Sequence, residues 1–323
     1  MSSQKDTNPF KYSNSNKRYR TYDMYMRSLF GKKCCKIPID AGFTCPNIDG
    51  TKGIGGCIYC ANGSRSVITD TELDPVDQFK TESIKYRQKY PDCLFVPYFQ
   101  SFSCTYADVK HLKSLYDPFT CMTDVVGIAI GTRADCLTKE NTQYLASLAK
   151  KTHLTVELGL QTVSDNTANL INRRHTFNDF LTGYQMLRKA SPEIRIGIHI
   201  ISGLPGETIE DEIKTAKAVA SMRPDEIKIH LLHVLEGTVL ANMYKNGEYK
   251  PLDFYDYIER VCKILEIMPP QTVIGRLTGD GDRSLLLAPL YSRDKKRIIN
   301  EIDKTFYKRN TYQGILYNSE ERI

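Results

Sequence analysis

Three cysteines, Cys45, Cys57 and Cys60, stand in one glycine-rich stretch of this chain: Gly42-Phe43-Thr44-Cys45-Pro46-Asn47, then Gly53-Ile54-Gly55-Gly56-Cys57-Ile58-Tyr59-Cys60. Three thiolates can hold three irons of a four-iron, four-sulfur (4Fe–4S) cluster and leave the fourth iron open to a substrate or cofactor, whereas an electron-transfer cluster takes four cysteines. A structural zinc site also takes four ligands, and Cys34 and Cys35 just upstream offer a fourth. Spacing alone leaves both readings open. The glycines around the trio suit a backbone that wraps closely around an inorganic core. Cys93, Cys104, Cys121, Cys136 and Cys262 are scattered singly and read as structural.

These residues must be positioned by a chain of 323 residues, enough for one large domain or two small ones. The composition, 41% hydrophobic and 25% charged, is that of an ordinary globular protein. No apolar run approaches the ~18 residues of a transmembrane helix. The polar start Ser2-Ser3-Gln4-Lys5-Asp6 does not resemble a signal peptide. We therefore expect a cytoplasmic protein with no membrane partner, whose ten cysteines stay reduced. The net charge of +6 permits a polyanionic partner without requiring one. Bases and aromatics interleave at both ends: Phe10, Lys11, Tyr12, Lys17, Arg18, Tyr19, Arg20, Tyr22, Tyr25 and Arg27, then Lys295, Lys296, Arg297, Lys304, Tyr307, Lys308, Arg309 and Tyr312. Bases attract phosphates and rings stack on unpaired bases, which suits RNA. A flexible, solvated tail would have the same composition.

From residue 36 onward, short β-branched runs alternate with longer amphipathic stretches. The pattern predicts strands at 36–39, 94–100, 124–131, 154–161, 194–202 and 226–233. Helices are predicted at 76–89, 109–116, 139–150, 164–172, 177–189 and 208–222. Strands separated by such helices form a parallel sheet with right-handed crossovers. Six β-α units favour a closed or partly closed barrel over an open doubly wound sheet. In such a barrel the active site gathers at the C-terminal ends of the strands. The cysteine loop follows the first strand, and Gln100, Ser101, Thr132, Arg133, Asp135, Glu157, Gln161, His199, Ser202, His230 and His233 lie on or at the ends of the others. Glu157 and Gln161 are four apart, so a regular strand points both to one side. His230 and His233 are three apart and point to opposite sides, with His230 taken as inward.

With Tyr59 just before its last cysteine, the trio resembles the radical S-adenosylmethionine (SAM) superfamily. The long gap between Cys45 and Cys57 is similar to that of the branch containing the Elp3-like proteins. Within it the sequence most resembles the group called YtqA or YhcC. The likeness runs through Lys36-Ile37-Pro38-Ile39-Asp40-Ala41-Gly42-Phe43, Tyr98-Phe99-Gln100, Gly131-Thr132-Arg133-Ala134-Asp135-Cys136 and Glu157-Leu158-Gly159-Leu160-Gln161-Thr162. It continues through Ile171-Asn172-Arg173-Arg174-His175-Thr176, Ser202-Gly203-Leu204-Pro205-Gly206-Glu207-Thr208, Lys228-Ile229-His230-Leu231-Leu232-His233 and Arg276-Leu277-Thr278-Gly279-Asp280.

The resemblance implies a mixed α/β fold, a partial parallel (β/α)6 barrel of radical SAM type. Residues 1–24 would be a basic, Tyr-rich, flexible segment, residues 25–270 the barrel with its cluster loop at 42–62, and residues 271–323 a C-terminal extension packed on it. It implies a 4Fe–4S cluster on Cys45, Cys57 and Cys60, with SAM chelated at the open iron. Reductive cleavage would yield a 5′-deoxyadenosyl radical for hydrogen abstraction, and the cofactor would carry the hard chemistry. Tyr59, Gln100, Arg133, Glu157, Gln161, Arg173, Gly203, Pro205 and His230 are implied cofactor contacts. The Gly-Gly-Glu type motif common in the superfamily is absent at Gln100-Ser101. Cys136 and the tyrosines are candidate hydrogen donors. The group is associated with transfer RNA, converting the wobble nucleoside 5-carboxymethylaminomethyluridine to 5-aminomethyluridine, with a flavodoxin- or ferredoxin-type electron donor. A radical SAM enzyme acting on a small metabolite and a zinc-stapled scaffold are the two rival expectations.

Overall fold

A computed structural model of the chain describes residues 8–61, 72–279 and 281–320. The polar start at residues 2–6, residue 62 of the expected cluster loop and Asp280 of the last motif lie outside the described residues. One parallel sheet runs β1 (Cys34–Ile39), β2 (Leu94–Phe99), β3 (Gly127–Thr132), β4 (His153–Gln161), β5 (Arg195–Ser202), β6 (Glu226–Leu231) and β8 (Val273–Arg276). A short ribbon, β7 (Val234–Leu235) against β9 (Leu286–Ala288), stands apart. Spatial order follows chain order, so the sheet curls steadily into a half-barrel, and β1 and β8 do not pair with each other. The expected partial barrel is present, with seven strands in place of six. Val273-Ile274-Gly275-Arg276 offers only two β-branched residues and a glycine just after Pro269-Pro270, so its local sequence carries little strand signal.

The strands are held by alternation. Ile128, Ile130, Leu154, Val156, Leu158, Ile196, Ile198, Ile227 and Ile229 are buried in the main apolar core, each worth roughly 1.5–3 kcal/mol. Their neighbours in sequence, Ala129, Gly131, Glu157, Gly197, His199 and Lys228, take the other, concave face. The covering helices are α2 (Pro75–Lys89), α3 (Val109–Tyr116), α4 (Lys139–Ala149), α5 (Asp165–Leu170), α6 (Phe177–Ala190), α7 (Ile209–Met222), α8 (Val239–Lys245), α9 (Phe254–Ile267) and α10 (Lys295–Lys308). Side-chain caps start them: Asp74, Asp108, Thr138, Ser164, Thr176, Thr208, Thr238, Asp253 and Asp294 each accept a backbone N–H, typically ~1 kcal/mol apiece. No helix among the described residues is long and apolar enough to cross a membrane.

An earlier helix, α1 (Tyr22–Phe30), plugs the end of the half-barrel where the strands begin. Thr21 caps its start and Gly31, at φ +70°, ends it. Met26 is buried among Cys34, Val96, Tyr98 and Ala129. Tyr25 and Phe30 pack on the ring of His153, the first residue of β4. The described part of the N-terminal segment is therefore built into the fold and is not a free tail. Phe10, Arg18 and Tyr19 are buried. Arg18 donates to Asn310 Oδ1 (2.9 Å), and Ile274 N donates to Arg20 O (2.7 Å), which adds a bridge alongside β8. The Arg20 guanidinium lies 5.5 Å from the Tyr12 ring and 5.0 Å from that of Tyr25, and Arg195 stacks on the same Tyr25 at 4.2 Å. Arg20, Tyr12 and Tyr25 of the N-terminal segment are thus used in cation–π stacks within the chain, at the end opposite the cysteine loop.

Above this plug the concave face is polar. Lys36 Nζ donates to Glu157 Oε1 (2.7 Å) and Glu226 Oε1 (3.1 Å), and Lys228 Nζ donates to Glu157 Oε2 (2.5 Å) and Tyr98 Oη (3.0 Å). His199 Nε2 donates to Glu157 Oε2 at 2.9 Å. Glycines on neighbouring strands leave room for these side chains: a Cβ on Gly275 would sit 2.1 Å from Glu226 Oε1, and one on Gly197 would sit 3.2 Å from Glu157 Cγ. Burial by itself would raise the Glu157 carboxyl, but Lys228 and Lys36 reverse the sign and hold it well below the carboxylate range. Burial pushes the Lys228 ammonium down to about 7 against the pull of Glu157.

Glu157→Gln would leave two buried lysines facing one remaining carboxylate. It is expected to cost about 3–5 kcal/mol at neutral pH, read by denaturant unfolding. Because the folded carboxyl is depressed, its contribution is complete above the ordinary carboxylate range and is lost as the pH falls through the folded value, so the gap to wild type narrows in acid. A gap below about 1 kcal/mol at pH 7 would refute the keystone role of this carboxylate.

Candidate functional site

The loop after β1 carries the trio to the C-terminal end of the sheet, where reciprocal asparagines lace it to the segment after α5. Asn47 Nδ2 donates to Asn172 O (2.6 Å), and Asn172 Nδ2 donates to Gly56 O (2.7 Å). Backbone bonds add Gly56 N to Asn47 O (2.9 Å) and Ile58 N to Ile171 O (3.1 Å). Within the loop, Ile48 N and Asp49 N donate to Cys45 O, and Cys60 N donates to Cys57 O. Gly53 permits the close approach, since a Cβ there would sit 2.4 Å from Asn47 Oδ1. Cys57 is buried, and Cys45 and Cys60 are partly exposed. Asn47 Nδ2 and Arg173 Nη1 approach Cys57 Sγ at 3.8 and 4.0 Å, two N–H donors suited to a thiolate. Burial, and then Cys57, push the Tyr59 phenol well above its ordinary value.

Arg173 sits in a turn whose flanking residues, Asn172 and Arg174, take the left-handed conformation at φ +53° and +52°. Burial lowers its guanidinium, but Cys57 and Tyr59 more than offset this and raise it. Its Nη2 donates to Gly159 O at 2.6 Å. Arg133 is buried behind the turn. It grips Asp135 through two bonds (2.9 and 2.8 Å) and donates to Arg173 O (2.9 Å) and Arg174 O (3.2 Å). Lys52 of the cysteine loop closes the network on Asp135 at 2.7 Å. Arg133 therefore positions Arg173, with its own donors used inside the protein.

The alternation that puts Glu157 and Gln161 on one side breaks at a bulge between Gly159 and Gln161, where Gln161 adopts φ +76°. Gln161 folds over Gly159, beside Arg173: a Cβ on Gly159 would lie 2.9 Å from Gln161 Nε2 and 3.0 Å from Arg173 Nη2. Glu157, about 13 Å lower along the strand, belongs to the interior lysine network. His199 is in register with Gly159, between the two levels. The His230 ring packs on His199 at 5.1 Å, on the concave face, while His233 lies beyond the end of β6. Gln100 directly follows β2 and is partly buried. Cys136, under the strand ends, is pushed up to about 12 by burial.

The turn Gly203-Leu204-Pro205-Gly206 follows β5. Glu212 of α7 holds it by accepting from Gly203 N (2.8 Å) and Ser202 Oγ (2.7 Å). Leu204 packs with Ile58 and Ile171, so the turn borders the cysteine loop. The capping of α7 by Thr208 is also present. Thr162, next to Gln161, donates to Glu207 Oε1 at 2.5 Å and joins the ends of β4 and β5. Burial pushes the Glu207 carboxyl up to about 7. Asn47, Asn172 and Thr162 were missed by sequence reasoning: each is an ordinary loop residue until its partner is seen.

Several buried polar atoms at the strand ends and on the loops beyond them have no hydrogen-bond partner in the protein, among them Ser101 Oγ, Ser103 Oγ, Asn47 Oδ1, Gln161 Oε1, Arg173 Nε and His230 Nε2. A polar ligand bearing its own donors and acceptors would satisfy them, and the trio with two N–H donors at Cys57 fits a cluster. Among the described residues, no group of three or more His, Cys, Asp or Glu side chains could hold a single metal ion. Cys34 and Cys35 open β1, at the opposite end from the trio. Cys34 lies in the plug against Met26, and Cys35 lies in the main core beside Cys93. The zinc-stapled scaffold falls on that separation.

The family model for the radical SAM superfamily matches residues 54–219, and the radical SAM C-terminal domain matches residues 224–308. The chain is 43% identical over 315 residues to the uncharacterized protein YtqA of Bacillus subtilis, covering 97% of each. It is 33% identical over 159 residues to a tRNA uridine(34) acetyltransferase of Methanocaldococcus jannaschii, covering 48% of this chain and 28% of that one. In fold it resembles the archaeal Elp3 of Methanocaldococcus infernus, with a TM-score of 0.66 at 18% identity. That likeness covers 87% of this chain and 64% of the Elp3 chain.

Gly159→Ala would force its methyl group against Gln161 and Arg173. Affinity for SAM, measured by equilibrium dialysis on anaerobically reconstituted protein, is expected to fall about tenfold or more. Unchanged affinity would count against the expected contact of Gln161 and Arg173 with the cofactor.

Proposed function

The chain belongs to the radical SAM superfamily, and we propose that it acts on transfer RNA, removing the carboxymethyl group from the amine nitrogen of 5-carboxymethylaminomethyluridine at the wobble position to leave 5-aminomethyluridine. The two carbons depart as glyoxylate, with SAM consumed as the oxidant and water supplying the aldehyde oxygen. Enzymes of this family use a 4Fe–4S cluster and SAM. In this reading Cys45, Cys57 and Cys60 hold the cluster, and Asn47 and Arg173 direct N–H groups at Cys57. Together the two cofactors supply one-electron cleavage of SAM and hydrogen-atom abstraction from an unactivated C–H bond.

The protein's own part is to bind, orient and exclude water. Gln161 and Arg173 stand beside each other over Gly159, with Gln161 Oε1 and Arg173 Nε unpartnered in the protein, and take the polar groups of SAM. Arg133, Asp135 and Lys52 hold Arg173 in place. Tyr59, Gln100, Gly203 and Pro205 border the same end of the sheet and complete the cofactor surface. A flavodoxin- or ferredoxin-type protein supplies the electron.

One observation supports the RNA assignment: over 159 residues, 48% of its length, this chain is 33% identical to a protein named a tRNA uridine(34) acetyltransferase. The N-terminal bases and aromatics do not add to it, because they are packed at the far end of the half-barrel.

Two measurements test this. Anaerobic protein with dithionite is expected to form 5′-deoxyadenosine from SAM, and Cys57→Ala to abolish it. Transfer RNA from cells lacking the protein is expected to lose 5-aminomethyluridine and accumulate 5-carboxymethylaminomethyluridine by nucleoside mass spectrometry. An unchanged wobble profile overturns the substrate assignment.

A further inference from the structure

We propose that Arg283, Arg293, Lys296 and Arg297, with the exposed ring of Tyr255, form the rim that docks the anticodon arm of the transfer RNA; the inference rests on the wobble-uridine reading above. The fold brings these residues together at the mouth of the half-barrel. The β7–β9 ribbon follows directly on β6 and His233, and its Val234 and Ala288 pack with Leu204 and with Ile58 of the cysteine loop. The segment between β8 and β9 closes on His233: a Cβ on Gly279 would sit 3.0 Å from its Cε1, and one on Gly281 2.5 Å from its Nδ1. Leu252, just ahead of α9, closes on the turn after β5, since a Cβ on Gly203 would lie 3.1 Å from its Cδ1. Tyr291 ties the two parts, with its Oη 3.1 Å from Leu252 O and 3.2 Å from Asp253 O. The heads of α9 and α10 therefore stand side by side at the cysteine-loop end, opposite the plug.

Two features suit this rim to RNA. The first is charge turned outward. Arg283 Nη2 donates to Arg293 O (3.2 Å) and Arg293 Nη2 donates to Arg283 O (3.1 Å), so the two segments are locked together with like charges on both. Both arginines are exposed. Each spends its bonds on backbone carbonyls and meets no carboxylate among the described residues. Lys296, exposed on the first turn of α10, makes no side-chain hydrogen bond or ion pair among the described residues. Three of the four carboxylates on these segments are spent on backbone N–H groups of caps and turns. Asp253 accepts from Tyr255 N and Asp256 N, Asp282 from Ser284 N, and Asp294 from Arg297 N; Asp256 is the fourth. Cations left in this state gain most from phosphates, whose neutralisation releases counterions.

The second feature is an open ring. The Arg297 guanidinium stacks on Phe254 at 4.2 Å, and Phe254 meets Tyr255 edge-on at 5.2 Å. Tyr255 itself is 68% exposed. An aromatic ring beside a group of cations takes an unpaired base while the cations take the adjoining phosphates, and an anticodon loop offers both. The N-terminal bases and aromatics have the same residue types but satisfy one another at the far end. Here the stack stops at a ring facing water. Because the rim flanks the strand ends, a loop held on it can turn one base towards Gln161 and Arg173.

The test measures the affinity of reconstituted full-length protein for an anticodon stem–loop RNA carrying 5-carboxymethylaminomethyluridine, across about 50–200 mM salt. The combined variant Arg283→Gln, Arg293→Gln, Lys296→Gln is expected to bind about tenfold more weakly at the low-salt end and to flatten the slope of log affinity against log salt by about 2. Tyr255→Ala is expected to bind about fivefold or more weakly with the slope unchanged. Each variant is expected to form 5′-deoxyadenosine from SAM and dithionite at the wild-type rate without RNA, which reports an intact fold. Lys296→Gln alone, which removes no contact within the fold, is expected to flatten the slope by about 1 and keeps the test open if the arginine variants misfold. A control removes three exposed lysines at the far end, Lys11→Gln, Lys32→Gln, Lys308→Gln, and is expected to bind as wild type does. An equal loss in that control overturns the rim. If wild-type protein converts the RNA and the rim variants bind it unchanged, the rim fails and the wobble-uridine function stands. If wild type binds through the rim yet leaves the nucleoside unconverted, the rim stands and the substrate assignment falls. If wild type neither binds nor converts the RNA, both fail.

Discussion

A single carboxylate, that of Glu157, holds the inside of this half-barrel together. It lies in the middle strand of the seven and accepts hydrogen bonds from Lys36 on β1, His199 on β5 and Lys228 on β6. A closed barrel secures its strands with hydrogen bonds around the full circle. Here β1 and β8 leave the circle open, and the first and last parts of the sheet meet through charged side chains across its hollow. The arrangement needs small residues beside large ones, and Gly197 and Gly275 supply that space. A polar interior of this kind is costly unless every charge is paired, and so Glu157, Glu226, Lys36 and Lys228 act as one set.

On top of that floor the cysteine loop is positioned by contacts to another loop, with no regular secondary structure between them. Asn47 and Asn172 each bind the other's segment, and Arg133, Asp135 and Lys52 brace the same turn from behind. Three cysteines with eleven and two residues between them could adopt many arrangements. The lacing selects the one that faces Gln161 and Arg173. Left-handed backbone at Gln161, Asn172 and Arg174 accompanies this convergence, as expected where a fold holds strained residues for a purpose.

Composition and placement part company at the chain's ends. Arg18, Arg20, Tyr12, Tyr19 and Tyr25 have the residue types of an RNA-binding tail, yet α1 and the segment before it close the far end of the barrel. Arginine stacks on aromatic rings with the same physics whether the ring belongs to a nucleobase or to a neighbouring tyrosine. Residue type alone does not separate the two outcomes; what decides is whether the ring's partner lies in the same chain.

The sequence by itself determined the strand–helix alternation, the parallel sheet, and the trio with its motifs, because these depend on local period, caps and spacing. Thr138, Thr176 and Thr208 announce their helices within a few residues, and the alternation of β4 separates Val156 and Leu158 from Glu157 before any folding is known. The seventh strand, the bulge at Gln161, the internal role of Arg133 and the descent of Glu157 into the lysine network belong to the tertiary structure alone. Each depends on a partner distant in the chain: Glu226 and Lys228 for Gly275 and Glu157, and the 171–174 turn for Arg133 and Asn47. Such pairings are energetic only once both partners leave water together, and no local pattern records which distant residue will arrive.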